Sequence, residues 1–204
     1  TAFGELKYYG RNSPIRGTNC RTCPHKGECK FYWDVTKNER YRKLYVECES
    51  EDGYLRDGCV FHEKTDIYDT MSVVVRYENG VTLNYTANTY LPYEGQAISF
   101  NGTKGRIDLN DFSGGGFKSD ELRLTRSFSK SEVITDFGPR REGGHGGSDT
   151  SLHDLIFRGL PKEDPLSLRA NFRDGALASL IGIAAYRSIE RGGQTVKIND
   201  LVKL

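Results

Sequence analysis

DTMSVVVRYENGVTLNYTANTY, residues 69–90, decides the fold. Its apolar residues recur every second position, the period of a half-buried strand rather than of a helix. Met71, Val73, Val75 and Tyr77 share one face of a first strand. Val81, Leu83, Tyr85 and Ala87 share one face of a second. Asn79-Gly80 between them supplies the left-handed backbone that a tight hairpin turn requires.

The same period continues downstream. AISF (97–100) and RIDL (106–109) flank NGTKG (101–105), a second hairpin with a longer turn. ELRLTRSF (121–128) and SEVITDFG (131–138) are two more strand candidates. About six strands on short connections predict a largely antiparallel sheet. After residue 140 the period becomes helical. EGGHGGSD (142–149) is a glycine-rich loop ending in Ser148 and Asp149, both favourable N-caps. TSLHDLIFRG (150–159) reads as a short helix stopped by Gly159 and Pro161, and Asp164-Pro165 opens another segment. The longest helix is expected from Leu168 to Arg191, with Phe172, Ala176, Leu180, Ile183, Ala184 and Ile189 as its apolar stripe. Gly192-Gly193 ends it, and TVKI (195–198) reads as a last strand. Upstream of the hairpin, residues 1–30 read as loop, 31–47 as one helix and 49–58 as a polar connector.

The expected fold class is therefore α+β: an open, mostly antiparallel sheet of about six strands with helices packed on one face. One domain is expected over 1–204, with a cysteine-bearing loop and helix region (1–64), a sheet (65–140), then helices and a last strand (141–204). There is no βαβ alternation, so the chain is not itself a Rossmann dinucleotide sheet.

Composition narrows the function. A net charge of +1 lacks the basic excess that phosphate neutralisation wants, which argues against a nucleic-acid partner. No apolar run approaches the ~20 residues of a membrane helix. The five cysteines cannot all pair with one another, so a reducing, cytoplasmic location is expected over a secreted disulfide scaffold. The chain starts at Thr1 and its single methionine is Met71, so a processed chain or a piece of a longer protein is expected.

Two stretches carry chemistry. Cys20-x2-Cys23 has the spacing at which a tight turn aims two thiolates at one zinc ion, and Cys29 could be a third ligand. The fourth is open among Cys59, Cys48, His25 and His62; Cys59 is preferred because it lies just before the first clear strand. Four protein ligands would close the site and make it structural. Reduced thiols, or one opportunistic disulfide, are the alternative. In the glycine loop, His145 could contact substrate or move a proton; a loop whose glycines serve only the turn is the alternative. Asp149 reads as a cap rather than as a catalytic partner of His153. SGGGF (113–117) and GGHGG match neither the dinucleotide nor the P-loop pattern, and there is no G-x-S-x-G elbow. The many tyrosines fit a sheet core or a face that binds sugars or another subunit.

The order and spacing of these pieces resemble the C-terminal domain of the Gfo/Idh/MocA family of nicotinamide-dependent oxidoreductases. The resemblance is carried by AFGELKYYG (2–10), NCRTCPHKGECKFY (19–32), CVF (59–61), the 66–90 hairpin stretch, ISFNGTKGRIDL (98–109), GGHGGSD (143–149) and ALASLIGIAAYRSIERGGQTVKI (176–198). It implies a substrate-binding and oligomerisation domain whose sheet face assembles a homo-oligomer. NAD or NADP would be held by a separate N-terminal Rossmann domain, which also supplies a catalytic lysine from a Glu-Lys-Pro motif. The implied reaction passes a hydride between the cofactor and a sugar or polyol. This chain lacks the Rossmann fingerprint, and its nearest match to Glu-Lys-Pro, His62-Glu63-Lys64-Thr65, lacks the proline. The resemblance thus implies no catalytic or cofactor-binding residue here, and His145 and Asp149 on the substrate side. Two alternatives stand beside it: a zinc-stapled assembly module without catalysis, and an NAD-dependent glycoside hydrolase of the same fold.

Overall fold

The computed structural model describes residues 1–113, 121–135, 142–159, 164, 167 and 169–202. The glycine cluster at 114–117, the end of SEVITDFG at 136–138, the prolines at 161 and 165, and residue 168 lie outside the described residues. The fold class is α+β, with antiparallel open sheets. The strands are divided between two sheets in two compact units, Thr1–Tyr90 with Gly175–Leu204, and Leu91–Asp174.

The first unit is built on the 69–90 hairpin. Strand β1 (Ala2–Glu5) pairs with β2 (Thr70–Arg76), which pairs with β3 (Thr82–Asn88), all antiparallel. Val73 faces Tyr85 and Val75 faces Leu83, so the two apolar sets expected from sequence share one face. The turn holds three residues, not two. Gly80 N–H donates to Tyr77 O (3.0 Å), Tyr77 N–H donates to Val81 O (2.9 Å), and Gly80 sits at φ +87°. That left-handed residue forms the bulge that closes a three-residue hairpin. Strand β1 lies inside a segment expected to be loop; its four residues are too few to show a period.

Residues 31–47 do not form one helix. They make a 3-10 turn at Val35–Lys37, a short helix α1 at Glu39–Leu44 and another 3-10 turn at Val46–Cys48, followed by α2 at Glu49–Asp52. The reason is local competition. The Asp34 carboxylate accepts from Thr36 N–H, and the Asn38 side-chain oxygen accepts from Tyr41 N–H, so each restarts the chain.

Helix α4 (Phe172–Glu190) carries its inward residues at 176, 177, 180, 181, 184, 185, 188 and 189, the spacing of one helical face. Phe172 and Ile183, expected in the stripe, are exposed; Leu177, Ile181 and Ser188 face inward instead. Within the first unit the helix lies against β1. A Cβ on Gly4 would stand 2.8 Å from Ile189 Cδ1. The TVKI segment is extended but joins no sheet, and a 3-10 turn follows at Ile198–Asp200.

The second unit contains a four-stranded meander: β4 (Glu94–Gly102), β5 (Gly105–Ser113), β6 (Glu121–Arg126) and β7 (Ser131–Ile134). Phe100 pairs with Ile107 and Ile98 with Leu109. The unit also holds helix α3 (Ser148–His153) and a π-helical turn at Asp154–Arg158. Among the described residues no helix is long and apolar enough to cross a membrane.

Candidate functional site

The glycine loop places His145 and Asp149 together. Residues Gly144–Gly147 form a tight turn that runs directly into α3. His145 itself is left-handed (φ +52°, ψ +44°), as are Gly146 and Gly147. A non-glycine residue at positive φ is uncommon and costs strain. That backbone turns the imidazole toward the helix, and its Nδ1 lies 3.0 Å from both Asp149 carboxylate oxygens. The residue before it makes the approach possible: a Cβ on Gly144 would fall 2.3 Å from Asp149 Oδ2. Ser148 and Asp149 are not N-caps, contrary to expectation. They lie inside the first turn, and the cap position is Gly147, with no side-chain capping bond. Asp149 serves His145, and His153 stands edge-on to Phe157.

With Asp149 accepting from Nδ1–H, His145 presents Nε2 as an acceptor. The side chain is 85% exposed, so Nε2 can reach a ligand hydroxyl. The pair can orient and polarise an O–H group or hold its proton.

The cysteines lie in the first unit. Residues 19 and 58 form an isolated antiparallel bridge. Cys20 N–H donates to Asp57 O (2.9 Å), and Cys59 N–H donates to Thr18 O (3.0 Å). Cys20, Asp57 and Cys59 therefore project to the same side of the bridge. Cys23 N–H closes a turn onto Cys20 O (3.3 Å), and Cys29 N–H reaches back to His25 O (3.1 Å). Burial pushes the Cys20 thiol pKa up; the Trp33 backbone N–H pulls it the other way, and Asp57, Cys59 and Cys29 add to the rise. All five cysteines are free thiols; Cys48 is exposed and donates to Lys43 O. Among the described residues no three His, Cys, Asp or Glu side chains are drawn together tightly enough, as they stand, to hold a metal ion.

Three anchors had no signal in the sequence. Asp69 is 1% exposed, and its carboxylate accepts from the backbone N–H groups of Lys7 (2.9 Å), Tyr8 (2.7 Å) and Tyr9 (2.9 Å). Burial alone would raise its pKa; the three N–H donors outweigh that and hold it below the usual value. Asp57 is buried and takes Arg21 N–H and Nε–H on one oxygen, while Arg21 also pairs with Glu49. Ser188 is buried, its Oγ accepting from Ala2 N–H (2.9 Å) and donating to Gln194 O (2.6 Å). An open groove of about 860 Å³ lies in the first unit between β2, α4 and residues 195–199. None of the site residues expected from sequence (Cys20, Cys23, Cys29, Cys59, His145 and Asp149) lines it.

The chain is thus an α+β fold with antiparallel sheets that carries a histidine–aspartate pair on a glycine loop. Comparison makes this specific. The model of the Gfo/Idh/MocA "Oxidoreductase family, C-terminal alpha/beta domain" matches residues 26–198, and the chain belongs to that family. It is also similar to the protein named "Putative oxidoreductase YteT" of Bacillus subtilis (strain 168), with 32% identity over 209 residues, covering 92% of this chain and 48% of that protein. The chain thus spans about half the length of the curated relative it matches. No solved structure matches it.

Proposed function

We propose that this chain is the substrate-side domain of an NAD(P)-dependent oxidoreductase that acts on a sugar or polyol. The observation that carries the reading is the His145–Asp149 pair, an exposed imidazole whose Nδ1 is fixed by a carboxylate. Nε2 accepts a hydrogen bond from a carbinol hydroxyl, Asp149 holds the tautomer, and the glycines on either side let a polyhydroxylated ligand approach the backbone. The nicotinamide, bound by another domain of the enzyme, supplies the hydride acceptor. Membership of an oxidoreductase family and the absence of a dinucleotide fingerprint from this sequence support that division of labour.

Oligomerisation through sheet faces belongs to the same proposal. In the first unit Leu83 and Tyr85 are exposed on one face of β3. In the second, Phe100 and Ile107 stand opposite each other on one face and are 63% and 37% exposed. Apolar strand faces of this kind are commonly covered by another subunit.

The test uses the intact enzyme and a panel of sugars and polyols, following NADH. His145→Ala should lower kcat/KM by about 10- to 100-fold, the scale of one lost hydrogen bond to substrate, with NAD(H) affinity unchanged. Unchanged kcat/KM would remove His145 from the site. Release of free sugar from a glycoside without net NADH would make the enzyme a glycosidase instead.

A further inference from the structure

We propose that, in the intact enzyme, the residues leading into Thr1 extend β1 along the free edge of β2 and occupy the groove between β2, α4 and residues 195–199. The inference rests on membership of the family and not on the reaction proposed above.

The ladder dictates the register. The Thr1 nitrogen donates to Val74 O (3.2 Å) and Val74 N–H donates to Thr1 O (2.8 Å), so these two form a hydrogen-bonded antiparallel pair. Past that pair β2 runs on through Val75 and Arg76, and no described residue of β1 stands beside them. The same register sets the residue before Thr1 opposite Val75, and the one before that opposite Arg76. Tyr77 N–H turns the other way, to Val81 O at the β3 end of the hairpin. Alternation therefore aims the N–H and C=O of Arg76 at the free edge, where they meet no partner among the described residues.

The groove has the walls a strand needs. One is the β2 edge; the other is the extended stretch at 195–197, which joins no sheet and touches Thr1 through the Thr1–Thr195 hydroxyl pair (3.0 Å). Helix α4 is the floor. Along β1 the inward positions are Gly4, against Ile189, and Ala2, fully buried with its N–H on Ser188 Oγ. The next inward position is the residue before Thr1, in the direction of Ile181, Ala184 and Ala185 and beside Val75. The two alanines leave room there for a larger apolar side chain. The family model that matches is that of a C-terminal domain, and the match covers 48% of the curated relative, which supplies the occupant. Main-chain hydrogen bonds with a side chain in a pocket are how an added strand is held. Entry as a strand rather than a loose linker fixes the direction from which the rest of the enzyme meets this sheet.

Native-state hydrogen exchange on the intact, unmutated enzyme tests this. Arg76 N–H should exchange as slowly as the N–H groups of Ser72 and Val74, which bond to β1. Free exchange at Arg76 beside a protected Val74 would overturn the proposal. Protection that falls away on dilution would overturn it too, because a second copy would then be the partner. Cross-linking reads the register. A cysteine at the position before Thr1 and Val75→Cys form a directly opposed, non-hydrogen-bonded pair, close enough for a disulfide on oxidation. Val74→Cys in place of Val75→Cys faces the other side of the strand and should give none. Peptide mapping that finds the Val74→Cys bridge, or no bridge with Val75→Cys, would overturn the proposal.

Discussion

Asp69 shows how one side chain can fix a chain entry. Its single carboxylate gathers three consecutive backbone N–H groups at the end of β1, where no strand partner is available to satisfy them. Asp69→Asn replaces part of that acceptor with a donor and should cost about 1–3 kcal/mol, read as a lowered midpoint in urea. The folded pKa lies below the ordinary 3.8, so the carboxylate's contribution is complete above that pH and is lost as pH falls through the lower native value. The gap between wild type and variant should therefore be widest at neutral pH and close below about pH 3.8; a constant gap down to strong acid contradicts the assignment. Gly144 makes the matching point in the glycine loop. Gly144→Ala should push Asp149 off His145 and lower kcat/KM of the intact enzyme, with little change in melting temperature. His145 and Asp149 were legible as candidates because a histidine among glycines before a helix is an unusual string. Their pairing was not, since it depends on a left-handed backbone at His145. Asp69 was illegible altogether: its partners lie some sixty residues away.

At the level of elements, the period of the sequence spoke where it was unambiguous. The 69–90 hairpin has the expected facing residues because alternation admits only one register that buries Val73. The 31–47 stretch misled because its aromatics permit a helix, while Asp34 and Asn38 bind their own neighbouring N–H groups. On α4 the inward face is rotated relative to the stripe drawn from hydrophobicity, and a serine sits at its most buried point. Ser188→Ala leaves Ala2 N–H and Gln194 O without their shared partner and should destabilise by about 1–3 kcal/mol. Hydrogen exchange should then accelerate in β1 before it does in α4. An unchanged unfolding midpoint would show that water replaces the hydroxyl.

Across the whole molecule, division into two sheets could not be read from the sequence, because strand count says nothing about where a ladder breaks. The exposed pair Phe100 and Ile107 gives the assembly proposal a direct check. Phe100→Glu should be nearly neutral for folding, within about 0.5 kcal/mol, as surface changes are, yet should lower the mass of the intact enzyme in light scattering. An unaltered mass would move the contact off the β4–β5 face. The first unit draws on both ends of the chain, Thr1–Tyr90 and Gly175–Leu204, with the second unit inserted between them. On a ribosome the inserted meander can pair its neighbouring strands as soon as they emerge, since its contacts are local. The first unit must wait. Ala2 N–H meets Ser188 only once the whole segment between them has been made, so β1 finds its place after the meander that follows it in sequence.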